Sequence, residues 1–292
     1  MSIEIHDKSI ASLVQSAWEI RKNNFPDTIE FDVPDKTRTV SVTGNECILN
    51  CAHCGGHYLK NMTPISAISS LSDYSSLLIS GGCDEMGKVD IASHKALIDE
   101  LKEKSIKINA HVGLISEAQI QQVASFADCV SFDFLTDKET IQQVYGLGLK
   151  PEDYITTYLN LKKHVRVVPH ICIGLYGGKI QGEIDAIKKL KELGADSLVF
   201  IVFIPTPGTR YANKPAPSPE DVAKVLATAR IEFPDIPIHL GCMRPKGRIR
   251  AQIDQLAVLC GVNKLVNPTK PAVEEARECG LEIKYGRECC VL

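Results

Sequence analysis

Residues 47–54 read Cys47-Ile48-Leu49-Asn50-Cys51-Ala52-His53-Cys54, three thiols at the spacing C-x3-C-x2-C. They follow an apolar, strand-like run, Arg38-Thr39-Val40-Ser41-Val42-Thr43. A short loop of this kind can wrap three corners of a cubane iron–sulfur cluster and leave the fourth iron without a protein ligand. That iron is then open to chelation by a small molecule. Other uses of the thiols compete with this one. A structural zinc site wants four ligands, and only His57 is at hand to complete the set. A disulfide framework does not suit a chain that reads as intracellular. A thioredoxin-like C-x2-C would have no use for Cys47. Thiolate ligation of iron fits the ligand count best.

The surrounding composition narrows the class. The chain has 292 residues, enough for one large domain such as a (β/α)8 barrel. An apolar fraction of 44% supports a packed core. A net charge of −3 gives no basic footprint for nucleic acid. No apolar run is long enough to span a bilayer, and the first residues, Met1 to Lys8, lack the apolar core of a signal peptide. A cytoplasmic location without membrane attachment is the expectation. Eleven cysteines, an odd number, argue against complete disulfide pairing.

Outward from the loop, strand and helix patterns alternate eight times. Short runs rich in Val, Ile and Phe, suited to buried parallel strands, fall at 38–44, 76–80, 106–112, 129–134, 165–173, 197–204, 236–241 and 263–267. Helical spacing occupies 7–24, which Pro26 stops, then 93–104, 116–123, 136–145, 151–163 and 181–193. Further helices start at Ser218-Pro219, an N-cap followed by proline, and span 246–259 and 271–278. Residues 31–36 read as a connector. Strict alternation predicts an α/β fold with a parallel sheet, closed as a (β/α)8 TIM barrel or, as runner-up, open and doubly wound. The predicted organisation is an N-terminal helical extension at 1–37, a barrel at 38–280 and a cysteine-bearing tail at 281–292.

Functional groups of such a barrel collect at the C-terminal ends of its strands. The second predicted strand runs into Ser80-Gly81-Gly82-Cys83. His111, Asp133 and His170 place polar side chains in otherwise apolar strands, which costs free energy unless they are partnered. Together they predict a polar pocket at the barrel mouth. Arg244, after the seventh strand, suits a carboxylate ligand. Of the remaining thiols, Cys129, Cys260 and Cys279 read as packing. Cys83 and Cys242 follow strands, and the chain ends in Cys289-Cys290-Val291-Leu292. That tail has three readings: a C-a-a-X prenylation site, an exposed redox pair, or a segment folding over the barrel mouth. In the third, Cys83, Cys242, Cys289 and Cys290 supply four thiolates to a second iron–sulfur cluster, with Cys172 as a substitute.

The loop followed by Ser80-Gly81-Gly82 resembles the radical S-adenosylmethionine (SAM) superfamily. Val42-Thr43-Gly44, the turn Gly174 to Gly177, and Ile204-Pro205-Thr206-Pro207-Gly208-Thr209 resemble its biotin-synthase-like branch. Within that branch, Cys54-Gly55-Gly56-His57-Tyr58-Leu59, Gly241-Cys242-Met243-Arg244-Pro245 and the Cys-Cys terminus look like subunits of the two-protein lipoyl synthases. The resemblance implies a full barrel, a 4Fe–4S cluster on Cys47, Cys51 and Cys54, and SAM chelated to its open iron. It implies His53 beside the adenine, the Ser80-Gly81-Gly82 turn at the SAM amino group, Asp133 near the ribose and Arg244 near a carboxylate. Cys83 stands where the family has an acidic residue, a change that a backbone role tolerates. The implied reaction is hydrogen abstraction by a 5′-deoxyadenosyl radical from an octanoyl chain on a lipoyl carrier domain or H-protein, followed by sulfur attachment. The implied partners are a second radical SAM subunit and an electron donor such as ferredoxin or flavodoxin. A biotin-synthase-like enzyme for a small molecule, of the metal-cofactor maturase type, and a non-catalytic iron–sulfur scaffold are the alternatives.

Overall fold

The computed structural model describes residues 5–68 and 71–292. In chain order the elements are α1 (Lys8–Asn24), β1 (Thr28–Asp32), β2 (Thr37–Ser41), β3 (Thr63–Pro64), β4 (Ser76–Ser80), α2 (Lys95–Lys102), β5 (Lys107–His111), α3 (Glu117–Ala124) and β6 (Cys129–Asp133). There follow α4 (Lys138–Thr140), α5 (Pro151–Lys162), β7 (Val167–Ile173), α6 (Glu183–Leu193), β8 (Leu198–Val202), α7 (Pro219–Glu232), β9 (Ile238–Leu240), α8 (Arg248–Leu259), β10 (Lys264–Val266), α9 (Lys270–Glu278) and β11 (Glu282–Gly286). All eight predicted strands are present, and the Ser218 N-cap is as read. Ser116 and Gln119 close a capping box on α3, Ser218 accepts the Asp221 amide at the head of α7, and α6 stops at Gly194 with φ +72°.

Two compact units divide the chain: Met1–Pro34, His170–Pro205 and Lys214–Gly286 form the first, and Asp35–Pro169, Thr206–Asn213 and Arg287–Leu292 the second. The expected boundaries at 37 and 280 are not where these units part. The extension at 1–37 is described from Ile5 onward.

In the first unit the strand order is β11-β1-β10-β9-β8-β7, with parallel pairing in register. The register sets residues of one type side by side. Phe31, Leu265, Leu240, Phe200 and Ile171 share one row, and all are buried. Successive side chains of a strand point to opposite faces, so this row lines one face only. Helix α7 packs against α1, α6 and α8, and α8 packs against α9. The buried Arg230 of α7 donates to the carbonyls of Gly261, Phe233 and Ile236 and to Asn263 Oδ1, which in turn accepts the amide of Ile238 at the start of β9.

In the second unit the order is β6-β5-β4-β2-β3, also parallel. Its core takes Val40, Leu77, Ile79, Ile108, Ala110, Val130 and Phe132 from the strands and Ile98, Ile120, Val123 and Tyr158 from the helices.

The α/β class and the parallel sheet agree with the reading of the sequence. Among the described residues there are eleven strands where eight were expected, and their order is linear within each unit. The extra three are β1, β3 and β11. The connector expected at 31–36 overlaps β1, which pairs with both β10 and β11. Charges at Glu30 and Asp32 hid its alternation. β11 carries Glu282, Lys284 and an exposed Tyr285, so no apolar run marks it. β3 is two residues long and ends in proline, which suits an edge.

Candidate metal and cofactor site

The cysteine loop is built where β2 and β4 end. Val42 N donates to Ser80 O at 2.8 Å, carrying the ladder one residue past β2. Ser41 Oγ then donates to Gly44 O at 2.7 Å, turning the chain sharply. Thr43 Oγ1 accepts the amide of Gly82 at 2.7 Å and donates to Glu46 O at 2.9 Å. Ile48 N donates to Cys83 O at 3.0 Å. The two backbones run so close that a Cβ on Gly82 would lie 1.8 Å from Glu46 O and 2.6 Å from Cys47 Cα. Only glycine fits there.

Within the loop, Cys54 N and Gly55 N both donate to Cys51 O, and His57 N donates to Cys54 O. Asn50 sits at φ +45°, Gly55 at φ +50° and Gly56 at φ +72°. Asparagine and glycine are the residues that accept this left-handed backbone most readily. From outside, the Ala52 amide donates to Val144 O at 2.6 Å, and Ala52 O accepts the Tyr211 amide at 2.9 Å. Arg210 also donates to Val144 O, at 3.2 Å. Val144 belongs to a single π-helical turn, Ile141–Tyr145, directly after α4. Such turns break the α-helical pairing and recur at functional sites. The Tyr145 ring meets the His53 ring edge-on, with centroids 5.6 Å apart.

The thiols share one electrostatic neighbourhood. The Cys51 thiol donates to Cys54 and is pushed up by that bond, by burial and by the nearby Cys47 and Cys83. Cys54 is brought down to about 7, first by the Cys51 bond. Burial, then Cys47 and Asp133, pushes Cys83 up to about 12. Burial brings His53 down to about 4, and its Nδ1 is buried without a hydrogen-bond partner. His111 Nε2 lies 3.4 Å from Asp133 Oδ2, and although burial opposes it, the Asp133 charge raises the imidazole above its ordinary value. Ser80 Oγ donates to His111 O at 3.1 Å. Ser80, Gly81, Gly82, His53 and Asp133 thus gather around the thiol loop at the C-terminal ends of β4 and β6.

Among the described residues no three His, Cys, Asp or Glu side chains converge closely enough to hold a metal ion. The donor chemistry nonetheless suits an iron–sulfur cluster. Buried thiols gathered this closely are a set that a multivalent cation stabilises as thiolates. The glycine-permitted approach of Gly82 and the unpartnered nitrogen of His53 belong to the same surroundings.

Two expectations need correction. Arg244 does meet a carboxylate, but an internal one. It is 1% exposed, donates from Nε to Asp254 Oδ1 at 2.6 Å, and spends its remaining donors on the carbonyls of Gly241, Val266 and Asn267. A buried guanidinium needs such pairing, and four of its five N–H groups are spent on internal partners rather than on SAM or a cluster. The tail does not fold over the mouth. Cys289 N donates to Thr37 Oγ1 at 2.8 Å, and its Sγ accepts from Asn109 Nδ2 at 3.6 Å. Glu288 binds Ser75 Oγ and Lys107 Nζ, and Val291 O accepts from Arg166 at 2.8 Å. Thr37 and Lys107 open β2 and β5, and Ser75 precedes β4. Cys289 therefore sits at the N-terminal ends of the strands and Cys83 at the C-terminal ends, so they cannot share a cluster. Cys289 is 9% exposed, which also fits neither an exposed redox pair nor an accessible prenylation site. Cys290 is half-buried beside it, Cys242 is exposed in the first unit, and Cys172 is half-buried in β7. Cys129 and Cys260 are buried, as packing requires.

Thr43, the π-helical turn with Tyr145, and the Arg210-Tyr211 pair were not read from the sequence as parts of the site. Thr43 alone had a signal there, as the polar residue of Val42-Thr43-Gly44.

The parallel α/β fold gathers a three-thiol loop and a Gly-Gly turn at one set of strand ends, a donor set that suits an iron–sulfur cluster. No family model matches the chain. The biotin synthase of Neorickettsia sennetsu is 24% identical over 278 residues, covering 88% of this chain and 81% of its own. The [FeFe] hydrogenase maturase subunit HydE of Thermotoga maritima is 23% identical over 292 residues, covering 93% and 79%. Among solved structures, methylornithine synthase (PylB) matches with a TM-score of 0.65 at 15% identity, over 96% of this chain and 91% of its own. The FeFe-hydrogenase maturase HydG of Carboxydothermus hydrogenoformans matches with a TM-score of 0.67 at 14% identity, over 96% and 73%. The chain is thus similar over most of its length to biotin synthase and to HydE, and shares its fold with PylB and HydG. Among the described residues no helix is long and apolar enough to cross a membrane.

Proposed function

We propose that this chain is a radical SAM sulfur-insertion enzyme of the lipoyl synthase type, built on a closed (β/α)8 barrel. The observation that carries its radical chemistry is the Cys47-Cys51-Cys54 loop locked to Gly82 through Thr43. When bound, a 4Fe–4S cluster and SAM supply a 5′-deoxyadenosyl radical, which removes hydrogen from C–H bonds that no side-chain acid or base can attack. The chain's own groups position and shield. Cys47, Cys51 and Cys54 hold the cluster, and the Ser80-Gly81-Gly82 backbone takes the amino group of SAM. His53, kept neutral by burial, lies against the adenine, and Asp133, held beside His111, takes the ribose. Holding the reactants in place and excluding water is the protein's share of the catalysis.

The proposed substrate is an octanoyl chain on a lipoyl carrier domain or H-protein, with a second radical SAM subunit and a ferredoxin or flavodoxin as partners. The segments Cys54 to Leu59 and Gly241 to Pro245 and the Cys-Cys terminus support this finer reading. A second cluster on Cys83 and Cys289 is not part of it, because the two thiols stand at opposite strand ends. One observation favours a second reading, a small polar substrate: the first unit carries a row of ionisable side chains on one sheet face.

Anaerobic turnover of an octanoyl-lysyl peptide with both subunits, followed by mass spectrometry, tests the proposal. Gain of sulfur on the peptide supports it. Deoxyadenosine formed without sulfur addition shifts the assignment to the small-molecule substrate, and no SAM cleavage at all removes the radical reading.

A further inference from the structure

Strand β11 stands at one end of the strand order, paired with β1 on one side and, among the described residues, with no strand on the other. The register fixes which of its backbone groups are spent. Glu282 N donates to Asp27 O at 2.8 Å, and Gly286 O accepts the Val33 amide at 3.0 Å. Successive residues of a strand turn their N–H and C=O to opposite sides. Glu282, Lys284 and Gly286 therefore face β1, while Ile283 and Tyr285 turn amide and carbonyl to the open edge. Such an edge is a template for a further strand.

The side chains divide the same strand into two faces. Glu282 and Lys284 share one face, and both are exposed. Ile283 and Tyr285 share the other, where Tyr285 is 66% exposed. The ladder carries on to Val33, which lies on that second face and is 51% exposed. An aromatic and a β-branched side chain left bare beside unpaired backbone mark a surface that association would bury.

The pattern of charge says what covers it. Charge on an edge strand ordinarily repels a second copy, and lysine is the usual device. Here the sign alternates about Ile283, with Glu282 before it and Lys284 after it. A twofold axis through Ile283 lays a second copy's β11 antiparallel to the first. Ile283 then exchanges both of its backbone bonds with Ile283 of the second copy, and each Glu282 stands opposite a Lys284. On the apolar face each Tyr285 ring reaches the Ile283 diagonally across from it. Charge also selects this register. The next register on one side sets Lys284 against Lys284, and the next on the other sets Glu282 against Glu282.

We infer that two copies of this chain associate by antiparallel pairing of their β11 edges, Glu282 of each against Lys284 of the other. The inference rests on this sheet edge alone and is independent of the thiol loop, of SAM and of the proposed substrate.

Sedimentation equilibrium of the full chain tests it, with a thiol reductant present so that disulfide-linked species do not imitate a dimer. The unmodified chain should show a concentration-dependent equilibrium between monomer and dimer. Glu282→Lys and Lys284→Glu should each weaken it roughly tenfold, because the twofold axis makes one substitution reverse two cross-strand pairs. Both side chains are exposed, so both variants should keep the fold, which circular dichroism checks. The decisive arm mixes them. Glu282→Lys brings two lysines to the edge and Lys284→Glu two glutamates, so the mixture restores both unlike pairs and should associate as the unmodified chain does. A chain that stays monomeric, a dimer indifferent to either reversal, or a mixture no tighter than the separate variants overturns the inference. Failure of radical chemistry with the dimer intact removes the functional proposal alone, and the converse removes this inference alone.

Discussion

Thr43 and Gly82 are joined side chain to backbone, the Thr43 hydroxyl oxygen accepting the Gly82 amide at 2.7 Å while its proton goes to Glu46 O. One hydroxyl thereby ties the end of β4 to the residue that precedes Cys47. Thr43→Val keeps the shape and removes both bonds, at about 1 kcal/mol each. We expect a lower iron content after anaerobic reconstitution and a small loss of stability in urea. Gly82→Ala should do more, because its Cβ would collide with Glu46 O. Iron per chain, measured for both variants, ranks the two effects.

Replacing Cys47, Cys51 or Cys54 by alanine should abolish both the cluster absorbance and SAM cleavage. Cys83→Ala should leave the absorbance in place, because Cys83 stands outside the C-x3-C-x2-C set. Loss of the cluster in Cys83→Ala would mean that its thiol is a ligand.

Truncation before Arg287 tests the tail. Val291 is 1% exposed and Cys289 9%, so removing the tail should cost about 3–6 kcal/mol of apolar burial, on the scale of ~1.5–3 kcal/mol per buried side chain. Substituting Cys289 and Cys290 together by alanine should leave iron per chain unchanged. A fall by half would restore them as ligands of a second cluster.

The Arg244–Asp254 pair is internal, so Asp254→Ala should destabilise by about 3–5 kcal/mol through an uncompensated buried guanidinium. Chemical denaturation measures the change. SAM binding by whatever fraction remains folded should be unaltered, which a cofactor role for Arg244 would not allow.

His111 titrates above its ordinary value because of Asp133. Its protonated form is favoured in the folded state, so the pair's contribution is complete below the unfolded pKa. It is lost as pH rises through the raised folded pKa. NMR titration of the His111 ring should show a midpoint above 6.5, and His111→Asn should remove that segment of the stability profile. A midpoint at or below the ordinary value would mean that burial outweighs the carboxylate.

Much of the fold is legible in local pattern. Runs such as Ser76–Ser80 and Cys129–Asp133 are apolar over the length of a buried strand, and Ser116, Ser218 and Gly194 mark helix ends by their own chemistry. β1 and β11 escape that reading, since their alternating charges look like solvent-facing sequence until the register sets Glu30 beside Lys264. The thiol loop and the Gly-Gly turn are legible because a spacing and a missing side chain are local facts. Val144 and Ala52, or Thr37 and Cys289, are far apart in the chain, and neither partner announces the other.

The sequence by itself determined the α/β alternation, the three-thiol loop and its neighbouring glycines, because strand propensity, capping and ligand spacing are properties of short stretches. Only the tertiary structure decided that Arg244 is spent on Asp254, that Cys289 lies at the far strand ends from Cys83, and that Lys264 meets Asp32 and Glu30. Each of those depends on which buried polar group finds which partner, and that pairing is settled by packing across the whole chain.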